Sequence, residues 1–436
     1  MKAIGSLFDR IARYDNVCVA AWRAAQGKRG RQEVVAFFER LEAEISGIVQ
    51  ALRDGSFQFQ EYRNFAIRDP KTRTIHAPSF RDRVVHHAII AVTGPVFECG
   101  AGPHSYACRA GRGQHAALAQ ARAWMRRGDW FLKVDVAKYY DSIPHELLRQ
   151  RLARRFRESR LLALFGRLLD SYATVAGHGL PIGALTSQYL GNFYLDACDH
   201  WISQELRIPR SLRYMDDFLL LADHTALLRA REGLAAQLAG RGLRMKDGGV
   251  INRCSSGVPF LGFVLYPDRT RLNRLGRKRL RRKLKTTEKK WERGELATGE
   301  LSARALSLFA HARTGDDVAW RRMVCRFSKF GETPGPATRD ARRLVEQHGE
   351  ELPLRDPQQE EARQPQQESG LPPCFGPRHG GADPPPDDAS SRAPALRIPM
   401  ARDETKGKSP PSAERCSRTG SAKAAGGAPL LQPDLL

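Results

Sequence analysis

Two adjacent acidic residues, Asp216 and Asp217, interrupt an apolar, strand-like run that reads LRYMDDFLLLAD. Aspartate is depleted from strands, and an ionised carboxylate removed from water costs several kcal/mol unless a counter-charge meets it. A second apolar run, LKVDVAKYYDSI, places Asp135 in a comparable setting. Three such carboxylates brought together repel one another, and divalent cations relieve that repulsion. The acids therefore predict a metal site.

The expected ions are two Mg²⁺, because hard oxygen ligands suit this cation and two ions roughly 4 Å apart form a clamp for in-line phosphoryl displacement. Mn²⁺ prefers similar ligands and is expected to substitute. The alternative interpretation of the DD pair is a solvent-facing turn, which is the usual role of an isolated pair. The second apolar strand, with its own Asp135, favours the metal site.

Two strand-like stretches, residues 130–140 and 211–222, must position these acids. The second stretch predicts a hairpin with Met215 and Asp216 near its tip and with Tyr214 and Phe218 on the flanking strands. The carboxylates would then meet at one end of a sheet.

Around these strands, the pattern predicts a mixed α and β body. Apolar residues at three- and four-residue spacing predict one amphipathic helix over residues 33–53, stopped at Asp54 and Gly55. PFLGFVLYP, bounded by Pro259 and Pro267, predicts one short strand.

The net charge of the 436-residue chain is +23, and residues 333–436 contribute almost nothing to it because they hold 14 basic and 15 acidic side chains. The preceding part is strongly basic, which favours a polyanionic partner such as nucleic acid over a merely soluble basic surface. Residues 333–436 also hold 17 of the 26 prolines and one aromatic residue, Phe375. This composition predicts a disordered tail.

The eight cysteines form no CxxC pair and read as reduced thiols. No apolar run approaches the roughly 20 residues that a membrane helix needs, and the first residues carry charges too early for a secretory signal. These features predict a cytoplasmic protein without a membrane partner.

Taken in order, the motifs resemble those of reverse transcriptases. LKVDVAKYYDSI is followed by GLPIGALTSQYLGNFYLD, then by YMDD and GVPFLGFVL, and the similarity runs from about Phe65 to Phe330. It implies an α+β right-hand polymerase with fingers, palm and thumb, in which an antiparallel palm sheet packs on helices. It also implies synthesis of DNA from dNTPs on an RNA template and a nucleic-acid primer.

Composition and resemblance together predict four regions. These are an N-terminal helical region at 1–64, a fingers and palm reverse transcriptase domain at 65–268, a helical basic thumb at 269–332, and the disordered Pro-rich tail at 333–436.

Carried over position by position, the resemblance implies that Asp135 and Asp216 hold both metals, with Asp217 in support. The Val136 carbonyl would be a backbone ligand. Tyr140 would be the bulky gate that rejects a ribose 2′-hydroxyl, although simple core packing is its alternative role.

In the fingers, IRDPKTRTIHAP resembles the hairpin that grips the incoming triphosphate. We expect Arg73 and Lys71 to meet its phosphate oxygens, since Arg binds them in two places and Lys acts as a point charge. Arg68, Arg81 and Arg83 are competitors for this role, and a solvated basic face is the alternative for each.

The subgroup depends on Ile182, Gly183 and Gln188, because this chain reads IGxxxSQ where most reverse transcriptases have QGxxxSP. This variant is similar to the enzymes of diversity-generating retroelements, which make frequent errors at template adenines. The resemblance also implies a small basic accessory protein. The alternatives are a group II intron-like or phage-defence reverse transcriptase, or a maturase-like RNA-binding protein with a residual metal site.

Two basic features complete the expectations. The family commonly has a lysine where this chain has Gly248 or Gly249, so Lys246 takes its place or the site lacks a strong general acid. The dense basic stretch at 268–285 would form a thumb helix that follows the duplex backbone. A localisation signal or generic RNA adhesion is the alternative.

Overall fold

The computed structural model describes residues 7–68, 72–126, 130–316 and 318–326, which form helices and short antiparallel strands. Lys71 and the predicted tail at 333–436 lie outside the described residues. Within these ranges, no helix has the length and apolar character required to cross a membrane.

The helices are distributed along the whole described chain. They are α1 Leu7–Ile11, α2 Tyr14–Ala24, α3 Gln32–Glu39, α4 Leu41–Arg53, α5 Phe80–Gly100, α6 Gln114–Met125, α7 Tyr139–Ser142, α8 His145–Arg155, α9 Ser159–Asp170, α10 Leu185–Gln204, α11 His224–Ala239, α12 Arg274–Glu292, α13 Thr298–Ala312 and α14 Val318–Arg326. The strands are β1 Arg63–Arg68, β2 Thr72–Ala77, β3 Trp130–Asp135, β4 Ser211–Tyr214, β5 Asp217–Ala222, β6 Val250–Arg253, β7 Val258–Phe260, β8 Phe263–Leu265 and β9 Thr270–Leu272.

A four-stranded antiparallel sheet in the order β4-β5-β3-β6 forms the centre of the fold. The two inner strands, β3 and β5, are mostly apolar and buried because both faces of the sheet are covered there. Leu132 and Leu220 belong to a core shared with α10 and α11, whereas Phe131 and Leu221 belong to a second core with α6 and the β7-β8-β9 sheet. This two-sided burial fixes the register of the strands that carry the acids.

The hairpin predicted from YMDD is confirmed. β4 pairs with β5 so that Tyr214 lies opposite Asp217, and Met215 and Asp216 form the two-residue tip. Met215 has a left-handed φ of 54°, which is uncommon for a residue with a Cβ. The contacts that hold this backbone in place therefore matter to the position of Asp216.

The single helix predicted over residues 33–53 is wrong, because Arg40 has φ −120° and ψ 30° and separates α3 from α4. The break lets the two apolar faces take different neighbours: α3 packs on α5, whereas α4 packs on α2. The predicted stop is confirmed, since α4 ends at Arg53 and Gly55 has a φ of 72°.

Two strand predictions also need correction. The 130–140 stretch is a strand only to Asp135, because Lys138 takes a left-handed φ of 46° and α7 begins at Tyr139. The predicted strand between Pro259 and Pro267 is a hairpin, because Leu261 and Gly262, with φ of 46° and 85°, turn the chain between β7 and β8.

The cysteines follow the prediction only in part. Cys18, Cys108 and Cys198 are free thiols. Cys99, in the last turn of α5, is disulfide-bonded, so the expectation of reduced thiols throughout is wrong. Its side chain is exposed, whereas Cys198 is sealed in the core.

Candidate active site

The three predicted carboxylates lie together at one end of the central sheet. Asp135 is the last residue of β3 and Asp217 the first of β5, and they are directly opposite each other in the ladder. Asp216 precedes Asp217 at the hairpin tip. Sheet register therefore places two of the acids, and the turn places the third.

The carboxylates influence one another strongly. Burial, followed by the charges of Asp217 and Asp135, raises the pKa of Asp216 to about 7, and Arg73 opposes this shift. Burial also raises the pKa of Asp217, although the Lys133 ammonium, 3.4 Å from its carboxylate, partly offsets the effect. At the Asp216 carboxylate, the surrounding positive charges therefore do not fully neutralise the negative charge of the cluster.

Lys246 occupies the outer side of the cluster. Its Nζ lies 3.0 Å from Asp135 Oδ2, and its backbone N–H donates to the Asp135 carbonyl at 2.8 Å. The two side chains are 41% and 36% exposed, so the ion pair contributes at most about 1 kcal/mol and can give way to another cation.

The backbone explains why a lysine does not occur three residues later. Gly249 has a φ of 73°, and a Cβ there would lie 3.1 Å from Val134 Cγ2 and 3.2 Å from Met245 Sδ. A side chain would be strained in this conformation. Lys246 is the lysine that reaches the carboxylates from this segment.

Val136 presents its backbone to the same region. Hydrogen bonds from Lys246 N–H to the Asp135 carbonyl and from Ala137 N–H to the Arg244 carbonyl flank it. Because successive carbonyls of an extended chain point to opposite sides, the Val136 carbonyl points away from residues 244–246 and toward the β4–β5 hairpin.

The donor chemistry fits Mg²⁺: carboxylate and carbonyl oxygens, with uncompensated negative charge at Asp216. Among the residues that the structure describes, no three His, Cys, Asp or Glu side chains form a ready-made metal-binding group. Lysine ammonium groups contact Asp135 and Asp217 instead. A metal ion would therefore replace these contacts and complete its shell with substrate oxygens.

The raised pKa of Asp216 predicts that metal-free protein loses stability as pH rises. An unfolded chain ionises this carboxyl near its ordinary value of 3.8, whereas the folded protein keeps the proton to about pH 7. Between these values the folded state binds more protons, so the free energy of unfolding decreases with pH. We expect Asp216→Asn, which cannot ionise, to raise Tm by a few degrees at pH 8, by less at pH 5, and to match the wild type only below the unfolded-state pKa of 3.8.

Thermal unfolding in EDTA measures this difference. Addition of Mg²⁺ at pH 8 should raise the Tm of the wild type and leave that of Asp216→Asn nearly unchanged. The same Tm difference between the two proteins at pH 5 and pH 8 would contradict the assignment.

Tyr140 lies beside the hairpin tip. Its hydroxyl is 3.6 Å from Met215 Sδ, and burial raises its pKa well above the ordinary value, with further contributions from Cys108 and Asp216. Cys108 donates from its Sγ to Gln188 Oε1 at 3.4 Å. The structure thus brings Tyr140 and Gln188 into one half-buried cluster next to the acids.

Arg73 is the arginine of the β1–β2 hairpin whose charge acts on the acidic site. It lies on β2, its side chain is exposed, and its charge opposes the raised pKa values of Asp216 and Tyr140. Its competitors have other surroundings: the Arg81 guanidinium carbon lies 5.5 Å from the Phe57 ring, and Arg83 is near Glu33. Arg68 is exposed at the end of β1.

Ile182 and Gly183 lie just before α10 and contact strand β2 of the β1–β2 hairpin. The His76 N–H donates to the Ile182 carbonyl at 2.8 Å. Gly183 has a φ of 117°, and a Cβ there would lie 2.8 Å from Ile75 Cγ2, so this position requires glycine. The backbone of this motif therefore sets where β2, and with it Arg73, lies.

Two residues next to the acids, Lys133 and Arg213, were not among the site residues predicted from the sequence. Lys133 could have been found, because residues two apart in a strand share a face and Asp135 follows it by two. Arg213, buried under the hairpin, gave a weaker signal: Asn192, Asp196 and Asp199, spaced by four and three residues, share one face of α10.

A basic groove lies between the β7-β8-β9 sheet and α12, where the dense basic stretch was predicted to form a helix. The groove has a volume of about 540 Å³ and is lined by Tyr266 and Trp320 among several basic side chains. The guanidinium carbons of Arg277 and Arg281 lie 5.2 and 5.6 Å from the Trp320 ring, and that of Arg269 lies 4.6 Å from the Tyr266 ring. Such stacking orients the guanidinium groups before any anion binds.

Residues 67–265 match the family model described as "Reverse transcriptase (RNA-dependent DNA polymerase)". This range contains the three acids and the residues of the IGxxxSQ motif. This segment is therefore similar to reverse transcriptase domains, and the expected right-hand polymerase fold is confirmed.

The curated relatives have names that refer to introns or that say little about function. Protein YkfC of Escherichia coli (strain K12) is 26% identical over 181 residues, which are 38% of this chain and 48% of the relative. The group II intron-encoded protein LtrA of Lactococcus lactis subsp. cremoris is 25% identical over 174 residues, which are 37% of this chain and 29% of the relative. The matched part of this chain thus spans less than half the length of either relative.

Among solved structures, telomerase from Candida albicans in complex with a fragment of telomeric RNA resembles this chain with 13% sequence identity and a TM-score of 0.40. The similarity covers 71% of this chain and 60% of the telomerase.

Proposed function

We propose that this protein is an RNA-directed DNA polymerase, which makes cDNA from dNTPs on an RNA template with a nucleic-acid primer. The observation that carries the proposal is the placement of Asp135 opposite Asp217, with Asp216 beside them, inside the segment that matches the reverse transcriptase model. Three acids at one end of a sheet leave an anionic site that a divalent cation can neutralise.

In this proposal Asp135, Asp216 and the Val136 carbonyl hold two Mg²⁺ ions, and Asp217 supports them from the start of β5. When bound, the ions activate the primer 3′-hydroxyl and neutralise the charge of the leaving pyrophosphate. Lys246, whose ammonium pairs with Asp135, would give way to such a cation.

The surrounding residues orient the substrates. Arg73 meets the phosphates of the incoming nucleotide, and Tyr140 closes the side of the site on which a 2′-hydroxyl would lie. The aromatic-supported arginines of the groove on α12 bind the backbone of the template–primer duplex, which needs no base-specific contact.

Primer extension tests the proposal. Purified protein, a generic RNA template with an annealed DNA primer, dNTPs and Mg²⁺ or Mn²⁺ should yield full-length cDNA. Tight RNA binding without any extension under either ion would favour the alternative, a maturase-like RNA-binding protein with a residual metal site.

The proposal also concerns the subgroup of reverse transcriptases that this protein resembles. Ile182 and Gln188 motivate the diversity-generating hypothesis, with a small basic accessory protein as a further partner and the cytoplasm as the compartment. The names of the relatives, such as a group II intron-encoded protein, favour the group II intron-like alternative. Fidelity at template adenines distinguishes the two.

Ile182→Gln provides the corresponding prediction. An aliphatic side chain at this position cannot hydrogen-bond a well-aligned nucleotide, so it discriminates against a poorly placed one by only about 1–3 kcal/mol. If the diversity-generating hypothesis holds, the wild type misincorporates opposite adenine well above its rate at other bases, and Ile182→Gln lowers those errors severalfold. Sequencing of cDNA made by both proteins from one RNA template measures this.

Ile182→Leu is the matched control, because it keeps an apolar side chain and should keep the adenine errors. Equal error rates in the wild type and Ile182→Gln would leave Ile182 with a packing role. Uniformly low errors in the wild type would remove the diversity-generating hypothesis and leave the intron-like alternative.

A further inference from the structure

Arg213 is a buried charge directly beneath the acidic hairpin. It is the third residue of β4, and its side chain is only 1% exposed. Because side chains alternate along a strand, Arg213 points to the α10 side of the sheet, whereas Leu212 belongs to the core on the other side. A buried guanidinium needs partners for all of its donors.

Residues of α10 supply most of these partners. The Arg213 Nε donates to Asp199 Oδ1 at 2.8 Å, and Nη2 donates to Asp199 Oδ2 at 2.6 Å and to Asp196 Oδ1 at 3.3 Å. Nη1 donates to Asn192 Oδ1 at 3.0 Å. The fork geometry matches a guanidinium and could not be reproduced by an ammonium.

The remaining bond reaches the hairpin tip: Nη1 donates to the Met215 carbonyl at 2.9 Å. That carbonyl belongs to the peptide group whose nitrogen is Asp216. Asp135 and Asp217 are held by the sheet ladder, but Asp216 lies in the turn outside it. Met215 is also in the left-handed conformation, with a φ of 54°, so the peptide needs an external restraint to stay in place.

We propose that Arg213 is a positioning residue, which fixes the Met215–Asp216 peptide from beneath and so sets the Asp216 carboxylate where it can share a divalent cation with Asp135. The guanidinium, held by Asp196, Asp199 and Asn192, transmits the position of α10 to the tip of the hairpin. This role rests on the metal site of the proposed polymerase, but it makes a claim about cation binding that does not require catalysis.

The test measures Mn²⁺ binding by electron paramagnetic resonance, with neither nucleotide nor primer present. Arg213→Lys should weaken Mn²⁺ binding by about tenfold, as is usual when a residue that orients a metal ligand is replaced. In primer extension, the same variant should need more Mg²⁺ for half-maximal rate and recover part of its rate at high Mg²⁺. A folded Arg213→Lys with wild-type Mn²⁺ affinity would overturn the proposal.

Arg151→Lys is the matched control. Arg151 also packs against α10, where it donates to the Phe193 carbonyl at 3.0 Å and its guanidinium carbon lies 5.1 Å from the Phe193 ring. Its replacement should leave the protein folded and change Mn²⁺ affinity by less than about twofold. An equal loss of affinity in both variants would show a general structural effect and overturn the specific role.

A double-mutant cycle tests whether Arg213 acts through Asp216. In an Asp216→Ala background, Arg213→Lys should cause no further loss of Mn²⁺ affinity, because the positioned ligand is already absent. A full tenfold loss in that background would overturn the proposal. If Arg213→Lys does not fold, Asp199→Asn replaces it, with an expected loss of about threefold; unchanged affinity there would also contradict the role.

These outcomes separate the two proposals. A wild type that binds Mn²⁺ and follows the predicted pattern, but extends no primer, would overturn the polymerase function and support the role of Arg213. If the wild type extends primers but Arg213→Lys keeps the wild-type Mn²⁺ affinity and Mg²⁺ requirement, the polymerase function is supported and the role of Arg213 is overturned.

Discussion

Asp216→Ala and Asp135→Ala should each reduce primer extension to below a few per cent of the wild-type rate. Both side chains are proposed to hold both metal ions, so neither ion keeps its position when one carboxylate is lost. The fold should survive, because removal of one anion from a mutually repulsive cluster relieves repulsion in the metal-free protein. For Asp216, whose pKa is raised to about 7, we expect an equal or higher Tm above pH 7.

Single-turnover extension on an RNA template, together with circular dichroism and Tm, measures both effects. Asp170→Ala is the control: Asp170 is an exposed acid at the end of α9 that pairs with Arg149, far along the chain from the hairpin. It should extend primers at a rate close to that of the wild type. Residual activity well above a few per cent in a folded Asp135 or Asp216 variant would show that the cation is held by other groups.

Arg73→Ala should raise the KM for dNTPs by about 10- to 100-fold, with a smaller effect on kcat. A hydrogen bond between charged partners contributes about 1.5–3 kcal/mol, which corresponds to this range of affinities. Arg73 is the arginine of the β1–β2 hairpin whose charge acts on both Asp216 and Tyr140. Arg73→Lys keeps the charge without the two-pronged geometry and should recover part of the loss.

Steady-state kinetics over a range of dNTP concentrations measure this change. Arg63→Ala is the matched control, because Arg63 lies at the opposite end of the same hairpin, where it pairs with Ala77 in the ladder and has a 65% exposed side chain. It should leave the KM unchanged. A similar increase in both variants would mean that the hairpin contributes only general positive charge. This is the solvated basic face considered as the alternative for these arginines.

The positions of the three carboxylates could be predicted because each depends on the residue pattern of a short stretch of sequence. Apolar strands on both sides of YMDD determine a hairpin, and the two-residue tip leaves only Met215 and Asp216 outside the ladder. A second apolar strand that ends in Asp135 pairs with it because both faces of the sheet must be buried. Strand pattern and turn length together were enough to bring the three carboxylates to one end.

Elements without such a strong local pattern were predicted less well. Helical periodicity is the same on both sides of Arg40, and only packing of α3 and α4 on different neighbours reveals the break. In the same way, Leu261-Gly262 looks like part of an apolar strand. Pairing of β8 with both β7 and β9 makes it a turn.

The sequence by itself determined that this chain carries an antiparallel sheet with three acids at one end, because those features follow from strand patterns and turn length. It did not determine which positive charges meet the acids. Lys246 is 111 residues from Asp135 along the chain, and the Arg213 side chain is fixed by acids of α10 that precede it by 14 and 17 residues. With 71 Lys and Arg residues in the chain, the tertiary structure alone decides these pairs, because each depends on how strands and helices distant in sequence pack together.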